Sequence, residues 1–599
     1  MMKSNLLLTM LFLLSVVRTD DEIFYGMIKR DTSDKLFNFL PITRDQNQPK
    51  ACNASWAFAL TTAMSAQFNF KLPEGSTKTQ VALSPQMLIN CATEEASCDY
   101  NKNFDITKGL QQLVDVGVVE EGCNNYYADD TQDCSSLNKC KDCENGEDIH
   151  HKTICHPKDY HNYKLAAWGK ITTEETDPNA RELALYTLML EALNHKGPLV
   201  CQIKHSKNLF KHRTNKYVKY QEKSKGPSDY SSWVAVMGMK SFEFDDINKK
   251  AWVLQTSFGA NVGMNGVVYI DADYNINYLN IMDNCYWMEV DTKVELVKNT
   301  TSDASFTNLL SKKFVKKTGM DVGTKNLNQG LKKHPSLFQM AFNEGIDLTA
   351  ETNPVDWRNM FGRNTLTYVK NQHIPTYCGS CWAQAAASVL ADRLNIKRIQ
   401  ENKAYPSYVF SVQAIINCRE GGTCFGGDSS LMFEKLRNWK MPVESCRTYE
   451  SHNPDNYTCD AQSVCRVVSK SETTPVTKFN GVKVSAWGRV RGAAAMKAEL
   501  LNGPIVCDFE VTDAFLQYKS TGEGEKVNIY DEEKDYLELN HAVSVVGWGE
   551  QDGVQYWVVR NSWGSEWGYD GFFYMKMGSN VLGIESDCSW AKPVLEEFE

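Results

Sequence analysis

Residues 378–398 read CGSCWAQAAASVLADRLNIKR. From Cys381 onward the apolar residues recur at helical spacing, which predicts a helix that begins at the cysteine. There the helix dipole favours the thiolate over the thiol. A thiolate is a nucleophile, so the chemistry this stretch announces is covalent. It requires a base to hold the proton, a group to orient that base, and donors for an oxyanion.

Between residues 353 and 599 the base can come from His373, His452 or His541. His541 lies in Leu539-Asn540-His541-Ala542-Val543-Ser544-Val545-Val546-Gly547-Trp548-Gly549, a buried-strand pattern in which a lone histidine would read as a satisfied core residue. It is not alone. Arg560-Asn561-Ser562-Trp563-Gly564 follows some twenty residues later, then Trp567-Gly568. Cys-Gly-Ser-Cys-Trp, Asn-His-Ala and Asn-Ser-Trp-Gly in this order and spacing resemble the papain family of cysteine peptidases. The resemblance implies Cys381 as nucleophile, His541 as general base and then acid, and Asn561 as its orienter. It also implies Gln372 as an oxyanion-hole side chain, Trp563 as a shield over the Asn561–His541 bond, and Gly426 and Gly427 as a backbone wall for extended substrate. The implied substrates are peptides or proteins, with cystatin-type inhibitors as further partners and no cofactor or metal.

Gln372 stands nine residues before Cys381, farther than in most papain relatives. The extra length forms a loop around His373-Ile374-Pro375, and the whole run from Asn371 to Trp382 resembles the cathepsin X group of carboxypeptidases. In that group the loop borders the primed side and its histidine meets the substrate's C-terminal carboxylate. A charge-assisted bond of that kind is strong; otherwise His373 is a solvated loop residue.

The chain also repeats itself at an offset of about 300–330 residues. Cys52-Asn53-Ala54-Ser55-Trp56-Ala57 echoes residues 378–383. Leu83-Ser84-Pro85-Gln86 echoes Phe410-Ser411-Val412-Gln413, Ala167-Trp168-Gly169 echoes Ala486-Trp487-Gly488, and Gly197-Pro198-Leu199-Val200-Cys201 echoes Gly503-Pro504-Ile505-Val506-Cys507. The first copy has lost the chemical groups. Its nucleophile position holds Ser55, and alignment puts Ser232 at the base and Thr256 at the orienter. Gln46 persists, but its loop reads Asn47-Gln48-Pro49, and the glycine pair has become Tyr100-Asn101. A serine nucleophile needs an adjacent base, and no histidine occupies the site, so the first copy reads as a pseudopeptidase that binds, folds or regulates.

Nineteen cysteines, an odd number, leave at least one outside any intrachain disulfide. The first copy has ten and the second nine, or eight without Cys381. The family pattern implies pairs 52–98, 91–134, 123–140, 143–155 and 201–285, then 378–424, 418–459, 446–465 and 507–588. Cys140, Cys143 and Cys155 with His150, His151 and His156 also have zinc-like spacing, but in an oxidising compartment disulfides are expected.

The expected architecture is α+β: two tandem papain-like domains, each with a helical and a β-rich half and a cleft between them. The boundaries are a signal peptide at 1–19, a pseudopeptidase domain at 20–297, a linker or propeptide-like segment at 298–352, and a peptidase domain at 353–599. Met1-Met2-Lys3 and the apolar run Leu6 to Val17 read as a secretory signal, or a signal anchor, and no later segment is a stable membrane span. That implies the secretory pathway, ending in the lysosome or outside the cell. The net charge of −10 argues against a nucleic-acid partner. The cathepsin X resemblance implies a propeptide whose cysteine bonds the catalytic thiol, and no cysteine lies between Cys285 and Cys378 to match it. The resulting function is a cysteine-type carboxypeptidase; the alternative is a secreted binding protein whose peptidase half the first copy holds latent.

Overall fold

The computed structural model describes residues 42–299 and 354–596 without 206–229 and several shorter stretches, and residues 25–38 in part. The expected signal at 1–19 and nearly all of the segment between the copies lie outside the described residues. Among the described residues no helix is long and apolar enough to cross a membrane.

Each half combines helices with a largely antiparallel sheet. The helix Cys381–Gln400 begins where the sequence places it, and Ser55–Lys71 is its counterpart. Both are buried around nearly their whole circumference, which the small residues Ala383, Ala385, Ala386, Ala387 and Ala391 permit in the second. Such a helix is held by its surroundings rather than by one apolar stripe. The repeated serine-glutamine motifs prove to be helix starts: Ser84 Oγ accepts from the Met87 N–H and Ser411 Oγ from the Ala414 N–H.

The two sheets share one strand order. In the first half it runs Val267–Asp271, Ile247–Gln255, Tyr230–Phe244, Leu199–His205, Cys285–Val290, Leu165–Lys170. In the second it runs Phe572–Lys576, Val554–Arg560, His541–Gln551, Ile505–Phe509, Cys588–Glu596, Gly481–Val490, with short edge strands added. Strand register is specific where a face is buried, and here it tests the alignment of the diverged first copy. Cys507 pairs with Val543 and Cys201 with Val234, which sets Ser232 where His541 stands. Arg560 pairs with Ser544 and Gln255 with Ala235, which sets Thr256 where Asn561 stands.

All nine implied disulfides are present. Cys140 and Cys143 are therefore covalently committed, and Cys381 is the cysteine left over.

The halves pack on each other through apolar and polar contacts: Ala260 joins the second half's core and Ile399 the first half's. The Asn371 side chain donates to the Gly122 carbonyl at 3.0 Å, and the Ala260 N–H donates to Ser445 Oγ at 2.9 Å. His161 meets Glu566 at 2.9 Å, and this bond raises the imidazole above its ordinary range.

Candidate active site

Cys381 is fully buried at the start of its helix, where Ser380 offers no side-chain cap. The first N–H groups of the helix therefore need another acceptor. Burial pushes the Cys381 thiol up to about 12; the backbone N–H groups of Ala542 and Trp382 oppose the rise, and Asp508 adds to it. Alone, this thiol would stay protonated, so its reactivity depends on a base in the same pocket.

His541 opens the strand His541–Gln551, and the next residue is the Ala542 that reaches the thiol. Its Nε2 bonds Asn561 Oδ1 at 2.8 Å, and Trp563 lies over it with ring centroids 4.9 Å apart. The bond fixes which edge of the ring carries Nδ1, the nitrogen turned away from Asn561. The indole keeps water from competing for that bond. Asn561 Oδ1 also accepts from the Ser562 N–H at 2.8 Å, which holds the amide in place.

Gln372 is completely buried. Its Oε1 accepts from Ser562 Oγ at 2.7 Å, and its Nε2 donates to the Cys378 carbonyl at 3.2 Å. An amide nitrogen carries two N–H groups, so a second remains for an oxyanion. Gly426 has φ 128°, a conformation that suits glycine. A Cβ on Gly427 would come within 2.4 Å of the Trp382 ring. Gly427 thus leaves room for the ring of the residue after Cys381.

In the first copy, Ser55 Oγ accepts from the Trp233 N–H at 3.2 Å, as the thiol accepts from Ala542. Gln46 is pinned like Gln372, accepting from Ser257 Oγ at 2.7 Å and donating to the Cys52 carbonyl at 2.9 Å. The frame survives without the reactive groups. Ser232 carries no imidazole, and Thr256 Oγ1 donates to the Gly266 carbonyl of its own turn at 3.0 Å. The Tyr100 hydroxyl, near the lost glycine pair, bonds Asn47 Oδ1 and the Cys52 carbonyl.

His373 departs from the solvated-loop reading. It is 2% exposed and stacks on Tyr377 and Trp563, with centroids at 5.3 and 6.2 Å. Its Nδ1 lies 3.2 Å from Oδ1 of Asp142, a first-copy residue that sequence reading did not single out. The only available signal was an aspartate at the hairpin position where the second copy has Val467.

The family described as papain family cysteine protease matches residues 31–288 and 352–592. Over 249 residues the chain is 37% identical to cathepsin Z of Onchocerca volvulus, a match that covers 40% of this chain and 77% of that protein. Over 246 residues it is 30% identical to pro-cathepsin H of Mus musculus, covering 40% of this chain and 64% of that one. Among solved structures, bromelain protease from Ananas comosus with the E64 inhibitor is 26% identical, covers 40% of this chain and 99% of its own, and has a TM-score of 0.32.

Proposed function

This chain belongs to the papain family of cysteine proteases, and from that premise we propose that its second half is a carboxypeptidase and its first half a catalytically silent copy. The carrying observation is the His541–Asn561 bond of 2.8 Å, beside a helix-terminal thiol that takes the Ala542 N–H.

In the proposed cycle His541 takes the Cys381 proton, and the thiolate attacks the scissile carbonyl. The oxyanion meets the Cys381 N–H and a Gln372 N–H. Protonated His541 then gives its proton to the leaving amine as the C–N bond breaks. Water, deprotonated by the same imidazole, hydrolyses the thioester. Gly426 and Gly427 offer backbone to an extended substrate. In the first copy Ser55 has no imidazole beside it among the described residues, so it supplies structure rather than turnover. The proposed boundaries are 20–297 and 353–599, with a signal at 1–19 and a linker at 298–352. Nine disulfides support a secretory or lysosomal setting.

The exopeptidase reading rests on His373. Its ring is one indole away from His541: His373 stacks on Trp563, and His541 lies tilted against the same indole. An imidazolium there can bond the terminal carboxylate of a substrate and so select for chain ends. The test compares a peptide bearing a free C-terminal acid with its C-terminal amide. His373→Ala should lower kcat/KM on the free acid roughly tenfold to a hundredfold, the worth of a charge-assisted bond. The amide should lose less than about threefold. Equal losses on both would remove the carboxylate role.

A further inference from the structure

The two copies clasp each other twice, in the same way. In the first copy the hairpin Lys141–Asn145 with Thr153–Pro157 follows Cys140; in the second, Arg466–Val468 with Thr473–Pro475 follows Cys465. Each hairpin sits on the other copy's inserted loop. Cys143 Sγ lies 3.5 Å from the Pro375 carbonyl oxygen. Reciprocally, Gln48 Nε2 donates to the Arg466 carbonyl at 2.8 Å, and Arg466 Nη2 donates to the Pro49 carbonyl at 3.0 Å.

The chemistry of the two contacts differs. Asp142 corresponds to Val467, and His373 corresponds to Asn47. An acid–imidazole pair therefore exists only where the loop belongs to the copy that carries Cys381, His541 and Asn561. Packing alone does not require that asymmetry.

We propose that Asp142 is a positioning residue for His373, so that the silent first copy completes the carboxylate-binding site of the second; this rests on the carboxypeptidase reading. The Asp142 side chain is 23% exposed and that of His373 3%. Lys158 Nζ stands 3.5 Å from the other Asp142 oxygen. Burial works against the Asp142 charge, but Lys158 and His373 outweigh it and hold the carboxyl at about 2. An imidazole can serve two carboxylates only through two N–H groups. With Asp142 on Nδ1, the nitrogen for a substrate is Nε2. Tyr377 and Trp563, at interplanar angles of 19° and 25°, keep the ring from turning about that axis. Lys158 balances Asp142, so the anchor adds no net negative charge where a substrate carboxylate must arrive.

The test uses the full chain and the same acid and amide peptides. Asp142→Ala should raise KM for the free acid roughly tenfold, as expected for loss of a partner to a charge-assisted bond. Its kcat, its turnover of the amide and its thiol labelling at Cys381 should stay within about twofold, readouts that a misfolded variant would lose together. Asp142→Glu should recover part of the loss. Asp142→Ala combined with His373→Ala should be no worse than His373→Ala alone, since coupled residues are not additive. A gain of activity on the free acid would overturn the proposal, because Asp142 would then be occupying the substrate carboxylate's place. Equal losses on acid and amide, where His373→Ala separates them, would also overturn it. If His373→Ala fails to separate the two peptides, the carboxypeptidase reading itself falls and this proposal falls with it.

Discussion

With His541 replaced by alanine, kcat/KM on peptide substrates should fall by roughly four to six orders of magnitude, the scale seen when a nucleophile loses its base. The reason lies in the burial of Cys381. Burial pushes the Cys381 thiol up to about 12, so without a partner it stays protonated at pH 7. In the proposed cycle the imidazole accepts the thiol's proton, stabilises the thiolate as an ion pair, and later protonates the leaving amine. No other residue on the strand His541–Gln551 offers a titratable group at that position. Asn561→Ala should cost less, because it releases the ring without removing it. The check is steady-state kinetics on purified variants with unchanged circular dichroism. A His541→Ala enzyme within about tenfold of the parent would contradict the assigned base.

Asp392→Ala should destabilise the second half by about 3–5 kcal/mol, the cost of breaking a buried ion pair on one side only. Asp392 is 0% exposed and lies on the Cys381 helix. Its Oδ2 meets Arg560 Nη2 at 2.5 Å, while Oδ1 accepts from the N–H and hydroxyl of Thr367, both at 2.8 Å. Arg560 is the residue before Asn561. The pair therefore ties the helix that begins at Cys381 to the strand end next to Asn561. Removing the aspartate leaves a guanidinium buried with only the Thr367 carbonyl, at 3.1 Å. Urea unfolding followed by tryptophan fluorescence would measure the loss. Asp392→Leu with Arg560→Met should recover most of it, since an apolar pair of similar volume substitutes well for a buried ion pair. A single-variant loss below about 1 kcal/mol would show that the pair is not an organising contact.

The helix at Cys381, the strand at His541 and the disulfide scheme were legible because each is written in local pattern or in cysteine spacing. The alignment of Ser232 and Thr256, made across a stretch with little identity, agrees with strand register because the sheet could not slip without exposing its buried face. Three features were beyond such reading. Gly427 has a second reason for being glycine, the Trp382 ring against it, which depends on how a distant helix packs. Asp392 and Arg560 are 168 residues apart, and no motif gives either of them a role. Asp142 and His373 meet across 231 residues and across two copies. Periodicity describes which face of an element is apolar, but not which surfaces of two similar halves come together.

The central claim is that the chain has one active centre, at Cys381, and that the first copy has none. Labelling the folded full chain with a thiol-reactive peptide probe, followed by peptide mapping, tests it directly. One equivalent should attach per chain, all of it on Cys381, and none should attach to the Cys381→Ala variant. A folded chain that takes up no probe, or that carries label anywhere in the first half, would contradict the account.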